Sequence, residues 1–290
     1  MGLFTKKNPC PICGGKVKGL FVNKVEGQHI CYDCFGVADL PLNTLNNMSL
    51  EDFKGYRIFR EENQQLKAQF QITREVDFGW FDSKFVFDTN NRLLCTSKDL
   101  DKTIFEGKQI KSFVIKEDST PIFECSAAGF IRYPSTVPQR LQLMLPQIQM
   151  FRMQMDRQRA DNNENEIRFD IPEPFQTFNV EIRFDHPYWD VITADKGGPT
   201  FNNSYPDGND YLRDYNEAFA IMEQLAMALK EVAFPDAPEQ TAGSGVVMSA
   251  AAPAANVDAV AEIKRYKDLL EQGVITEEEF TAKKKQLLGI

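Results

Sequence analysis

Two C-x-x-C pairs near the start of the chain, Cys10/Cys13 and Cys31/Cys34, constrain its fold more than any other feature. Seventeen residues separate the pairs, a spacing within the range of zinc sites built from two such turns. Each turn can aim two thiolates at one point, and two turns close a tetrahedron around Zn²⁺ with Zn–S bonds of about 2.3 Å. We therefore predict a zinc ribbon at residues 1–47 that holds one structural Zn²⁺ through these four cysteines.

The metal would supply the folding energy of this ribbon, because a segment of this size cannot bury enough apolar surface alone. A thioredoxin-like redox pair would need a strand-to-helix context, which neither pair has. A catalytic zinc would need an open coordination position, and four thiols leave none. His29 could replace a cysteine as ligand, but with four thiols available we expect it to lie beside the site or at the surface.

The net charge of the chain indicates which kinds of partner it is able to bind. The 290 residues carry a net charge of −9, which argues against nucleic acid as the main partner of the whole chain. The ribbon is locally basic, with Lys16, Lys18 and Lys24 among its lysines, so a zinc-ribbon nucleic-acid binder stays open as an alternative. No apolar signal segment or long apolar run is seen, and we expect a cytoplasmic protein, where paired C-x-x-C motifs bind metal more often than they form disulfides.

Residues 48–234 are predicted to form a β-rich core. A helix with Ser49 as N-cap begins it, and a long amphipathic helix, residues 211–234, ends it. Between them, seven runs rich in β-branched and aromatic residues predict strands: 69–78, 84–88, 92–98, 109–118, 120–126, 178–184 and 188–194. Seven antiparallel strands followed by one helix is the order of a pleckstrin-homology-like barrel. By analogy we predict that fold, and an α+β sandwich stays open.

An insertion, residues 134–174, interrupts the predicted strands. Several apolar residues could share a helical face, but Pro138 and Pro146 are expected to break it. The insertion also holds a methionine cluster: Met144, Met150, Met153 and Met155. Methionines can form adaptable binding surfaces, although we favour packing against the domain itself or against a second copy.

Catalytic chemistry is not indicated. Asp185, His186 and Asp190 lie close in sequence, but Asp-His-Pro is ordinary turn chemistry. Cys95 and Cys125 fall within predicted strands and are expected to be buried structural thiols. No nucleophile elbow, phosphate-binding glycine loop or H-E-x-x-H motif appears. We therefore expect a protein that is not an enzyme.

The last part of the chain consists of two segments of different composition. Residues 235–256 are rich in Pro, Ala, Gly and Ser and predict a flexible linker. Residues 257–290 predict a helical hairpin, with Gly273 ending its first helix and Thr276 beginning its second as part of a capping box. Its apolar face is expected to associate with a second copy, through Ile263, Leu270, Ile275, Phe280 and Leu287.

The run LLEQGVITEEEFTAKKKQLLG in this tail closely resembles the SHOCT family, the bacterial short C-terminal domain. The resemblance implies a small helical hairpin at the end of varied bacterial proteins, with a role in oligomerisation. At the other end, CPICGG and GQHICYDCFG resemble an uncharacterised bacterial family with an N-terminal four-cysteine ribbon. That resemblance implies zinc binding and no particular activity.

Together these features predict an α+β multidomain protein: zinc ribbon, pleckstrin-homology-like core with a long helix, linker and helical hairpin. Its expected function is that of a non-enzymatic scaffold or adaptor, which self-associates and presents its core to a ligand or to other proteins. The alternatives are a nucleic-acid-binding ribbon protein and a peripheral membrane protein. Against the membrane alternative, no run of four or more consecutive basic residues marks a lipid-binding patch.

Overall fold

The computed structural model describes residues 9–18, 23–77, 84–160 and 171–242, in which helices and strands are both abundant. The helices are α1 (Tyr32–Phe35), α2 (Leu42–Asn47), α3 (Leu50–Asn63), α4 (Val137–Ala160) and α5 (Gly208–Ala233). The strands are β1 (Lys24–Val25), β2 (Gln28–His29), β3 (Arg74–Asp77), β4 (Lys84–Asp88), β5 (Leu93–Cys95), β6 (Ile104–Glu106), β7 (Ile110–Glu117), β8 (Thr120–Ser126), β9 (Gly129–Arg132), β10 (Thr177–Phe184), β11 (Val191–Gly197) and β12 (Glu239–Thr241). The fold is therefore α+β with a β-rich core, as predicted.

Strands β3 to β6 form a four-stranded antiparallel sheet in chain order. The predicted turn at Asn90–Asn91 joins β4 to β5, and the buried Asp88 organises it by accepting a hydrogen bond from the Asn91 backbone N–H at 3.0 Å. The sequence pattern did not indicate β6. That strand is three residues long, too short for alternation between polar and apolar residues to be recognised.

A six-stranded sheet has the order β11-β10-β7-β8-β9-β12. Its neighbours are antiparallel except β12, which runs parallel to β9. The predicted turn after Glu117 connects β7 to β8 through Asp118, whose φ of +51° is tolerated by Asp in tight turns. Strand β12 lies within the stretch 235–256 that we predicted as a linker. The likeness to a pleckstrin-homology barrel stays a prediction.

Helix α5 packs on both sheets and provides much of the core. Asp207 caps its N-terminus by accepting hydrogen bonds from the backbone N–H groups of Asn209 and Asp210. At its other end, Arg92 donates from Nε to Val232 O and from Nη2 to Ala233 O, both at 2.9 Å. These bonds satisfy carbonyls that have no partner within the helix. The buried side of α5 includes Tyr211, Tyr215, Met222, Leu225, Leu229 and Val232.

Helix α4 corrects the prediction that prolines break the insertion, because it continues for 24 residues through Pro146. An internal proline removes one backbone hydrogen bond and costs about 3 kcal/mol. Burial of one face of the helix against the core offsets that cost, and this face consists of Val137, Leu141, Ile148, Phe151 and Met155. Arg152 adds a salt bridge of 2.7 Å to Asp207 and a cation–π contact with Tyr205.

All described residues belong to one compact unit, residues 1–243. The predicted ribbon packs on α3, with Phe35 stacked on Phe53 at 6.2 Å between ring centroids. The residues predicted for self-association lie outside the described residues: Ile263, Leu270, Ile275, Phe280 and Leu287.

Candidate metal centre

The first C-x-x-C pair sits on a tight turn. The Cys10 backbone N–H donates to Gly15 O, and the Gly14 N–H donates to Cys10 O, each at 2.8 Å. Gly14 has a φ of +71°, a conformation that glycine adopts without steric cost. The Gly15 N–H then donates to Cys13 Sγ at 3.4 Å. The turn therefore brings the thiols of Cys10 and Cys13 to the same side of the chain.

The β1–β2 hairpin and the start of α1 position the second pair, Cys31 and Cys34. Glu26 and Gly27 both have positive φ and reverse the chain between the two strands. The Cys31 backbone N–H donates to Cys10 Sγ at 3.4 Å, which joins the second turn to the first. Cys31 is the N-cap residue of α1, and Cys34 lies within that short helix.

The structure brings together the four cysteines that the spacing predicted. Their sulfur atoms all lie within 4.8 Å of one another, and Cys13 Sγ lies 3.6 Å from Cys31 Sγ. A tetrahedral site with metal–sulfur bonds of about 2.3 Å requires sulfurs about 3.8 Å apart. Cys10, Cys31 and Cys34 are buried and Cys13 is exposed. The cluster could therefore hold a metal ion without a large rearrangement.

The thiols of the cluster differ in their affinity for protons. Burial acts to raise the pKa of Cys10, but backbone N–H groups, that of Cys31 foremost, outweigh it and lower the pKa to about 6. Burial, followed by the neighbouring thiols, raises the pKa of Cys34. Without a cation the four sulfurs would not all be deprotonated at neutral pH, whereas a bound metal ion would favour the thiolates.

Arg57 is a residue of the site that sequence reasoning missed. Its Nη1 donates to Cys34 Sγ at 3.3 Å, and its positive charge acts to lower the pKa of that thiol. A metal centre with four thiolates carries net negative charge, which a guanidinium stabilises. The sequence signal was only that Arg57 follows Phe53 by four residues, which places it on the same side of a helix; the structure shows Phe53 in the cluster with the cysteines.

A buried polar network joins this ribbon to the four-stranded sheet. Asp39, which follows the second pair, accepts hydrogen bonds from Tyr56 Oη and from Thr103 Oγ1, the latter at 3.1 Å. Arg60 Nε lies 3.6 Å from Asp39 Oδ1, and Arg60 Nη2 donates to Asp101 O at 2.7 Å. Asn63 donates to Ile104 O and accepts from its N–H. These bonds link the segment that follows the four cysteines to the β-rich core.

A cleft of about 540 Å³ lies between α2 and the segment that connects β10 to β11. Its lining includes Met48, Asp52, Pro187, Tyr188 and Trp189. His186 also lines it and packs edge-on against Phe59 at 4.9 Å and Phe105 at 5.8 Å between ring centroids. Burial lowers the pKa of His186, and its Nδ1 accepts from the Tyr188 backbone N–H at 3.1 Å, which is turn geometry as predicted.

The two remaining cysteines are buried in the core, as predicted. Cys95 and Cys125 are 0% and 2% exposed, and burial raises the pKa of each thiol to about 11. Both therefore stay protonated at neutral pH and are poor nucleophiles.

Comparison with known proteins identifies the tail. Residues 261–288 match the SHOCT family, the short C-terminal domain. SHOCT segments are in general modules of protein interaction or oligomerisation. All five tail residues predicted for self-association fall within this SHOCT segment.

The resemblance of the ribbon to an uncharacterised bacterial family stays a prediction. No curated protein and no solved structure matches the chain. Among the helices that the structure describes, none combines the length and the apolar character needed to cross a membrane.

Proposed function

We propose that the protein is a non-enzymatic cytoplasmic scaffold that self-associates through its SHOCT segment. Each copy would carry a metal-stabilised ribbon attached to a β-rich core, which presents a binding surface to a ligand or to another protein. The observation that carries the proposal is the match of residues 261–288 to a family of interaction and oligomerisation modules. The cleft lined by Tyr188 and Trp189 is the part of the core that we propose as its binding surface.

The proposed metal is one structural Zn²⁺. Four thiols with nearly tetrahedral spacing favour zinc, and three of them are buried. A closed set of four protein ligands leaves no position for a substrate or water, which favours a structural role. Fresh, reduced protein should contain about one equivalent of zinc by elemental analysis. Less than about half an equivalent would contradict the assignment, since a structural site is nearly saturated when its metal is bound tightly.

The absence of catalysis is also a proposal, and two features support it. The two core thiols, Cys95 and Cys125, are held protonated by burial. His186 is enclosed by aromatic rings, and its lowered pKa keeps it neutral. Protonated thiols are not activated nucleophiles, and His186 Nδ1 already accepts from the Tyr188 backbone N–H, so it does not serve as a free general base.

Self-association is tested by light scattering of the full chain over a range of concentrations. We expect the wild-type protein to form dimers or larger assemblies, and the double variant Leu270→Glu/Phe280→Glu to be mainly monomeric. A buried, unpaired carboxylate in an association surface is costly. The matched control is Gln272→Glu/Thr281→Glu, which adds the same charge at neighbouring polar positions of the segment. A monomeric wild type, or a double variant that associates as the wild type does, would reject the proposal.

Nucleic-acid binding and membrane association remain the alternative predictions. Lys16, Lys18 and Lys24 are exposed on the ribbon, so a nucleic-acid site there would be accessible. Binding of this kind weakens steeply with salt because phosphate contacts release counterions. If the protein fails to bind DNA or RNA even at low ionic strength, that alternative is rejected.

A further inference from the structure

The outer side of α4 carries an apolar stripe that stays exposed. Leu143, Pro146, Met150 and Met153 follow one another at intervals of three, four and three residues. Leu143, Met150 and Met153 are 80%, 58% and 55% exposed. At about 100° per residue, this stripe lies on the side of the helix opposite the one that packs on the core. Helix α4 therefore has two apolar faces, of which the structure buries one.

The stripe has the spacing of a coiled-coil seam, in which apolar residues recur at alternating intervals of three and four. Its flanks are neutral: Gln142, Gln147, Gln149 and Gln154 are all exposed. No charged residue occurs between positions 141 and 151, in a chain where 26% of residues are charged. The nearest charged side chains face other elements, since Arg140 lies 3.7 Å from Asp118 and Arg152 lies 2.7 Å from Asp207.

We propose that this face of α4, from Leu143 to Met153, pairs with the same face of a second copy in an antiparallel arrangement. A two-fold interface brings one surface patch against itself, so like charges on the patch would repel. The neutral glutamine rim avoids that repulsion. Arg157 continues the same face beyond Met153, and the antiparallel orientation places the two Arg157 side chains at opposite ends of the seam.

The size of the seam implies that it assists an assembly rather than forms one alone. Leu143 to Met153 spans about 15 Å of helix. Such a seam buries less than the roughly 800 Å² per partner of a standard interface. A tether between the copies would compensate by raising the effective concentration of one α4 near the other.

The SHOCT segment would supply this tether if it joins two copies as proposed. The backbone N–H of Ala242, the last described residue, donates to Arg132 O at 2.7 Å, and Arg132 precedes the start of α4 by five residues. The last described residue therefore lies beside the end of β9, the strand that precedes α4 in the chain. To this extent the inference rests on the proposed function.

Sedimentation velocity of the full chain over a concentration series tests the proposal. We expect Leu143→Glu/Met150→Glu to weaken association on the order of tenfold or more, because pairing would bury unpaired carboxylates. The control Ile58→Glu/Ile72→Glu adds the same charge at apolar positions that are 58% and 44% exposed elsewhere, and it should associate as the wild type does. Met150→Leu keeps the seam apolar and should also associate normally.

The tail variant Leu270→Glu/Phe280→Glu, alone and combined with the α4 variant, separates this inference from the proposed function. If the α4 variant associates as the wild type does, the inference is overturned whatever the tail variant does. If the α4 variant is weakened and the tail variant is not, the pairing of α4 stands, whereas the proposed function and the role of the tail as tether both fail. A wild type that stays monomeric throughout overturns both.

The same variants also test two other ways of covering the exposed face of α4: a lipid surface and the tail of the same copy. Flotation with phosphatidylcholine–phosphatidylserine vesicles tests a lipid surface, and hydrogen exchange of residues 261–288 tests the tail of the same copy. Vesicle binding that the α4 variant abolishes while its association stays normal would overturn pairing. Pairing would also be overturned if the α4 variant forms assemblies of the same mass as the wild type while hydrogen exchange of its SHOCT segment becomes faster.

Discussion

The cluster around the four cysteines and the cluster beneath α5 are both well buried, but different interactions stabilise them. The large cluster is a continuous apolar core with residues from both sheets and from α4 and α5, among them Phe87, Phe130 and Leu229. The small cluster has far fewer buried members than the large one, and three of them are cysteines. Apolar burial alone stabilises a core of the first size but not of the second. A metal ion and a polar network would therefore have to provide what burial does not.

Metal removal is expected to have the largest effect and to separate the two regions. Structural zinc contributes apparent binding energies of about 10–16 kcal/mol in small domains. Chelation, or Cys31→Ser, should abolish hydrogen-exchange protection in β1, β2 and α1 and leave α5 protected. Cys125→Ser, a buried thiol outside the cluster, should leave metal content and ribbon protection unchanged. Equal loss of hydrogen-exchange protection in α5 and in the ribbon would contradict the view that the two regions are stabilised by different interactions.

Arg60→Ala tests the connection between the two regions. The substitution would leave Asp39 and Asn63 without their guanidinium partner in a buried network, which typically costs 3–5 kcal/mol. We expect the midpoint of urea unfolding to fall and ribbon unfolding to precede core unfolding. Lys54→Ala on the same helix removes an exposed pair with Glu51 and should change the free energy of unfolding by less than about 1 kcal/mol. Similar effects of both variants would reject the network as the connection.

The smallest expected effect concerns pH and the large core alone. Burial raises the pKa of Glu117, although hydrogen bonds from Tyr215 Oη and Ser135 Oγ act to lower it. The stability linked to its proton is fully present below the unfolded pKa, ordinarily about 4.3, and is lost as pH rises through the folded pKa. Glu117→Gln does not titrate, so its unfolding free energy relative to the wild type should increase between pH 4 and 7. A difference that is constant with pH would contradict this assignment.

Several parts of the fold were predictable because their signals are local. The Ser49 cap of α3, the Asn90–Asn91 turn and helix α5 depend on residues close in sequence, and the structure has all three. Strands β6, β9 and β12 were missed. They have three or four residues each, and pairing with neighbours stabilises them more than their own pattern does.

The sequence by itself determined which four thiols meet, because C-x-x-C turns have few conformations, and it carried the SHOCT motif of residues 261–288. Only the tertiary structure decided that Arg57 contacts Cys34, that Asp39 joins the ribbon to Thr103, and that α4 continues through Pro146. The physical reason is distance along the chain. A contact between residues 23 or 64 positions apart depends on the conformation of the whole intervening chain. A helix keeps an internal proline when burial of its core face stabilises it by more than the lost hydrogen bond costs.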